Sequence, residues 1–372
     1  MKRAITLAGG GPAVGLSLGA LKRLKEADIH FDVWALSCIG AWLGIVYNQA
    51  EEGQEVETSE AFFRQIFRDD RTYSRFPIAS VFAPDFFSEA QRVVSFILDP
   101  RSYQNLVLPD KIAEAAEVTL SLLSDPRKWN QADLNDWMLN QVLAVNPISR
   151  FMTSLMYLSK NNGLSRIYYP DSAFLRQLNF ENLYKESKPF IYHNAYNLTK
   201  KRLELFANKP MKGYGRITPH SLCACSALPY IEEPTRLGDD MYCEGATIDT
   251  VNFEDMLRDH PDLDEVWVSR ILDHDQVRTP DNLYDSLNNL VMLFAATTSE
   301  DDVKLFKFHA AEVGWKGRII EIPVNHNITY DWTHSNLDRS IDDGYRATDL
   351  VLKKYQAQPE GKPPLRKLQP AQ

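Results

Sequence analysis

Along roughly the first seventy residues, short apolar runs of strand length alternate with segments whose apolar positions recur every three or four residues. "KRAITLA" reads as a strand, and "GLSLGALKRLKEAD" reads as a helix with Leu18, Leu21 and Leu24 on one face. "FDVWALS" reads as a second strand and "CIGAWLGIVYNQAEE" as a second helix, the alternation expected of a parallel α/β sheet. From about residue 57 to residue 188 the texture turns helical and aromatic, as in "VFAPDFFSEAQRVVSFIL" and "RFMTSLMYL", which predicts a helical insertion or cap. Strands return in "KPFIYHNAYNL" and "KRLELFA", patterned as a hairpin, and in "EVWVSRIL" and "GRIIEIPV", apolar runs suited to central strands. A last helix covers "LDRSIDDGYRATDLVLKKY". The tail over 356–372, with its Pro, Lys and Gln, is expected to be disordered, leaving a single domain over 1–355.

Composition narrows the partners. The chain has 372 residues, 44% of them hydrophobic, enough to bury a sizeable core. A net charge of -9 argues against nucleic acid as a partner. Cys38, Cys223, Cys225 and Cys243 are too few for a disulfide scaffold in a chain this long, and a lone C-x-C lacks the second pair of a zinc ribbon. The ordinary reading of Cys223 and Cys225 is as small buried residues. Lys2 and Arg3 precede a signal-peptide-like stretch, but three consecutive glycines and Pro12 interrupt it, so strand, loop and helix fit better. With no uninterrupted apolar run of ~18 residues, a cytoplasmic protein is expected, although another secretion route stays open.

"LAGGGPAVG" joins the first strand to the first helix, and its spacing eliminates two nucleotide motifs. A dinucleotide fingerprint fails because Val14 or Pro12 falls where a glycine is needed. A phosphate loop fits Gly10 and Gly15 but then meets Leu16 and Ser17 in place of Lys and a hydroxyl residue. A loop of bare amides before a helix N-terminus remains, suited to a developing oxyanion; a plain tight connection is the ordinary alternative.

One strand later, "LSCIGAWLG" breaks from strand to helix like a nucleophile elbow, G-x-S-x-G. Taking Gly40 as the second glycine places Cys38 in the nucleophile slot and Leu36 in the first glycine slot; starting from Ser37 would put Ile39 where glycine belongs. Together with "CSALPYIEEPTRLGDDMYCEGATIDTVNF", these segments resemble the patatin-like phospholipases in order and type.

The resemblance implies a three-layer α/β/α fold with a mainly parallel sheet, and cleavage of acyl esters through a Ser–Asp dyad and an acyl-enzyme. Carried onto this chain, Gly9, Gly10 and Gly11 match the oxyanion loop, Cys38 the nucleophile and Glu244 in "YCEGA" the dyad acid. The departures are Cys for Ser, Glu for Asp, Leu36 for the first elbow glycine, and Pro12 where relatives carry Arg or Lys nearby. No metal or cofactor is implied. The partner is an acyl lipid or other acyl ester, and transient contact with a membrane surface stays open. The aromatics of the insertion are mainly core in the ordinary reading and an apolar wall for an acyl chain in the functional one.

A free thiol at ~8.5 and a free Glu at ~4.3 differ by roughly 6 kcal/mol for proton transfer, far less than a serine hydroxyl would require. The helix at the elbow would lower the thiol and an ionised Glu244 would raise it, so its net direction is not legible in sequence. Hydrolysis leads; transfer of the acyl group to an amine or alcohol is the alternative. Cys38 is also what an inactivating substitution would leave, or a relative that kept the fold as a lipid-binding or regulatory protein. His326, Asp331 and His334 in "NHNITYDWTH" lack metal spacing. His193 and His220 are weaker candidates to assist Cys38.

Overall fold

Alternate residues of the first two strands enter two separate cores. β1 (Arg3–Leu7) sends Ala4 to one core and Ile5 and Leu7 to the other. β2 (Val33–Leu36) sends Val33 and Ala35 to the first and Trp34 and Leu36 to the second. Helices must therefore cover both faces of the sheet. α1 (Val14–Glu26), α2 (Ile39–Gln49) and α3 (Glu55–Ile66) pack on one face. The α1 leucines expected on one side are buried. α2 is buried almost all round, as its lack of charge requires.

The computed structural model describes residues 1–71, 86–104, 106–125, 127, 130–159, 161–165, 174–324, 329 and 331–357. It divides into two compact units, Met1–Pro84 with Gly163–Gln372, and Asp85–Asn162. The smaller contains α4 (Phe86–Leu98), α5 (Pro109–Ser124), α6 (Gln131–Trp137) and α7 (Pro147–Leu158). Phe96 and Phe151 lie 5.6 Å apart there, and the Trp137 indole donates to Thr119 at 2.8 Å. The change of texture read at residue 57 falls inside α3, whose Phe62, Phe63 and Ile66 bind it to the sheet unit.

In the larger unit the chain continues through β3 (Gly163–Ser165), α8 (Phe180–Leu183), β4 (Phe190–Asn197), β5 (Arg202–Ala207), β6 (Tyr214–Arg216) and α9 (Pro219–Cys225). Then follow β7 (Tyr230–Glu232), β8 (Thr235–Leu237), β9 (Asp240–Glu244), α10 (Phe253–Asp259), β10 (Glu265–Ser269), α11 (Leu283–Glu312), β11 (Arg318–Ile322) and α12 (His334–Gln356). The main sheet runs β11-β10-β1-β2-β4-β5-β6, with β9 on β4 and β8 on β9. α10 and α11 cover the face opposite α1–α3, completing a three-layer α/β/α fold. β4 and β5 form the expected antiparallel hairpin, and β10 is central. β11 is instead an edge strand, with most of its residues half-buried; an isoleucine-rich run does not reveal that no further strand pairs beside it among the described residues. The final helix extends to Gln356, and 358–372 lie outside the described residues.

Candidate active site

β2 ends at Leu36 and α2 starts at Ile39, so only Ser37 and Cys38 make the turn. Cys38 has φ 49° and ψ -127°, a conformation that costs a non-glycine residue about 1–3 kcal/mol unless its surroundings enforce it. They do. Ser37 donates its amide to the Leu7 carbonyl at 3.1 Å and its hydroxyl to the Thr250 carbonyl at 3.1 Å. The Asn252 side chain reaches the Leu36 carbonyl at 3.4 Å. The Cys38 amide donates to Cys225 Sγ at 3.1 Å.

Glycine is required at position 40, because a Cβ there would sit 2.3 Å from the Leu7 carbonyl oxygen. Leu36, in the other glycine slot, is accommodated by a second glycine one turn into α2: a Cβ on Gly44 would come within 2.6 Å of both Leu36 methyl groups. The departure at Leu36 is thus compensated locally.

Glu244 reaches this turn through the sheet. One edge of β4 pairs first with β2, through Leu36↔His193, and then with β9, through Ala195↔Glu244. β9 runs antiparallel to β4, so its last residue meets the end of β2. The Glu244 amide donates to the Ala227 carbonyl at 2.9 Å. Gly245 permits the turn that follows, since a Cβ would lie 2.5 Å from Asn194 Oδ1.

The glycine loop closes the arrangement. A Cβ placed on Gly9 would fall 2.7 Å from Cys38 Cβ, 3.2 Å from Ala246 Cβ and 3.3 Å from Glu244 Oε1. Gly9, Cys38 and Glu244 therefore share one point. Gly10 backs onto Ile271 and Leu272, whereas Gly11 takes a left-handed φ of 49° as the chain enters α1. The glycines are needed for space at Gly9 and for backbone conformation at Gly11.

Cys38 is half-buried and Glu244 only 5% exposed. Burial, then the nearby Glu244 carboxylate, push the Cys38 thiol well above its usual range. The Ile39 amide at the start of α2 acts the other way and is outweighed. Burial raises Glu244 to about 7, against the opposing effect of a side-chain hydrogen bond with Cys38. Glu244 Oε2 is buried without a hydrogen-bond partner among the described residues. The resting pair is consequently a neutral thiol beside a carboxyl poised between its two forms.

The remaining candidates go elsewhere. His193 is fully buried, stacked on Phe206, with Nε2 3.0 Å from Ser221 Oγ, and burial lowers it to about 4. His220 lies in the first turn of α9, where burial lowers its pKa. His334 Nε2 lies 2.9 Å from the Arg64 carbonyl oxygen, Asp331 accepts from the Tyr284 hydroxyl at 2.9 Å, and His326 is outside the described residues. Among the described residues no group of three His, Cys, Asp or Glu is placed to hold a metal ion, and no helix is long and apolar enough to cross a membrane. Cys223 and Cys225 are buried, as the ordinary reading has it. The role of Cys225 as acceptor for the elbow amide was missed, and its only trace in sequence is its place beside the "SALP" segment.

The architecture is that of an α/β protein with a strained turn at the carboxyl end of an inner strand, beside a glycine loop. A family profile described as patatin-like phospholipase matches residues 5–257, and the chain belongs to that family. Membership supports lipid acyl hydrolase activity in general terms. Among solved structures, the crystal structure of VipD from Legionella pneumophila is similar at 13% identity, with a TM-score of 0.40, over 95% of this chain and 67% of that one. No curated protein matches the sequence.

Two outcomes follow from the packing and the buried carboxyl. Gly44→Ala should cost about 1–3 kcal/mol by overpacking against Leu36, and in a Leu36→Ala background most of that penalty should vanish. Urea denaturation of the four proteins measures the coupling; equal penalties in both backgrounds would show that Leu36 is not what Gly44 accommodates. For Glu244, a folded pKa of about 7 exceeds the unfolded one, so the folded state binds the extra proton. Its stabilising contribution is complete below about pH 4 and fades as pH rises through about 7. Asp249, raised to about 6 by burial and Asp302, titrates in the same window. The stability difference between wild type and Glu244→Gln isolates Glu244, and should shift by about 3 kcal/mol across that range.

Proposed function

We propose that this protein hydrolyses acyl esters of lipids through a Cys38–Glu244 dyad. The observation that carries this reading is the close approach of Cys38 and Glu244 to Gly9, both within 3.3 Å of where a side chain on that glycine would begin. Ionised Glu244 takes the Cys38 proton as sulfur attacks the ester carbonyl carbon. The resulting oxyanion faces the Gly9–Gly11 backbone, whose amides and helix N-terminus favour negative charge. As the tetrahedral intermediate collapses, the carbon–oxygen bond breaks and Glu244 returns the proton to the leaving alcohol. Water, deprotonated by Glu244, then attacks the thioester, and the released sulfur recovers a proton from the same carboxyl.

Burial has opposite consequences for the two partners. A carboxyl at about 7 is a far better base than an exposed glutamate, which shortens the proton-transfer gap from one side. The raised thiol lengthens it from the other. Attack is therefore concerted with proton transfer, because a free thiolate is disfavoured in this setting.

With p-nitrophenyl esters of varied chain length, Cys38→Ala should fall to background and Glu244→Gln should lose about 100-fold or more in kcat/KM. Unchanged rates in both variants would remove the dyad. The wild-type kcat/KM should rise with pH through about 7 as Glu244 ionises. Intact-mass measurement should detect an acyl adduct that Cys38→Ala lacks. Discharge at the same rate with water alone and with added amine or alcohol supports hydrolysis, whereas acceleration by the acceptor reassigns the protein as an acyltransferase.

A further inference from the structure

We propose a second ligand site, for a phosphate group borne by a small alcohol, in a cavity at the amino-terminal ends of β1, β2 and β4. The cavity measures about 340 Å³ and is bounded by Lys2, Lys188, Lys209, His260, Asp32 and Phe190 among others. That volume gives room for a phosphate and a short polar alcohol. Val33 and Phe190, which open β2 and β4, line it, whereas Leu7 and Leu36 lead to the candidate active site from the opposite strand ends. A strand of five residues at about 3.3 Å each separates the two places, so this cavity is not part of the esterase site.

Its charge is unbalanced. Lys2 is clamped by both oxygens of Asp262, at 2.7 and 2.9 Å. Lys188 donates to the Ala50 carbonyl at 3.1 Å and Lys209 to the Glu186 carbonyl at 3.0 Å. Among the described residues neither of these two ammonium groups has a carboxylate within ion-pair distance. Each ammonium has three N–H donors, so backbone carbonyls account for one apiece. Capping a chain end explains where each lysine sits, but not why both line one cavity in a protein of net charge -9. The carboxylate of Asp32 accepts the Arg3 amide at 2.8 Å and offsets one of the two positive charges.

His260 forms part of one wall. It is 8% exposed, its ring stands edge-on to Phe190 at 4.9 Å, and Nε2 has no hydrogen-bond partner among the described residues. Lysine ammonium groups bind phosphate as point charges, without the bidentate fork an arginine would supply.

The test uses the full chain at constant ionic strength. Calorimetric titration with inorganic phosphate and with glycerol 3-phosphate forms one arm. Flotation with phosphatidylcholine vesicles, with and without phosphatidic acid, forms the other and distinguishes a soluble ester from a lipid headgroup. Lys188→Gln with Lys209→Gln should weaken binding in the responsive arm at least about tenfold, since both charged contacts are lost. Lys188→Arg should keep most of the affinity. Unchanged circular dichroism and unchanged hydrolysis of p-nitrophenyl esters by the double variant exclude unfolding and confine the loss to this cavity. Absence of lysine-dependent binding in both arms overturns the proposal.

Discussion

One edge of β4 has to be shared. β2 covers its first half and stops at Leu36↔His193, and β9 covers the rest from the other direction, ending at Ala195↔Glu244. Two strand ends thus meet beside one continuous strand, the first releasing Cys38 and the second presenting Glu244. Neither residue is close to the other in sequence, and no local motif brings them together. The mixed ladder of β4 does so, and any strand slip by one residue would turn Glu244 to the opposite face. The antiparallel pairing of β9 onto β4, on the edge that β2 leaves free, is the feature that makes the pair geometrically possible.

Holding Cys38 at φ 49° then requires constraints from every side. They come from the chain end of β1 through Leu7, from α9 through Cys225, and from the segment after Glu244 through Thr250 and Asn252. Thr250 is anchored in turn, since its amide and hydroxyl both donate to Asp302 of α11, at 2.6 and 2.7 Å. The turn is therefore fastened to helices on both faces of the sheet. Strain at a single residue persists because several independent contacts would have to break for it to relax.

The parts of this arrangement that were legible in sequence are the local ones. β1, the glycine loop, β2, the elbow and the start of α2 follow from apolar period, glycine spacing and an abrupt change of pattern within about forty residues. Glu244 was reachable only through family resemblance, because its meeting with Cys38 is set by the ladder and not by spacing. Leu36 looked like a defect in the elbow, since a five-residue motif does not extend to Gly44, where the space for it is made. Cys225 looked like filler because a buried sulfur accepting an amide has no sequence signature of its own. The edge position of β11 and the membership of α3 in the sheet unit likewise depend on neighbours distant in the chain.

At Cys38 and Glu244 burial governs the protonation of both side chains. In water the carboxylate would be a weak base toward a thiol; at this turn desolvation lifts both groups, and the carboxyl reaches about 7. A buried Glu with one unpartnered oxygen is costly to keep ionised, so near neutral pH the carboxyl is divided between its two forms beside a neutral thiol. In the proposed reaction the charge of the ionised carboxylate passes through sulfur to the ester oxygen, where the glycine amides would receive it. That coupling would favour a concerted path and give the glycine loop, more than the thiol's own acidity, the task of making Cys38 a competent nucleophile.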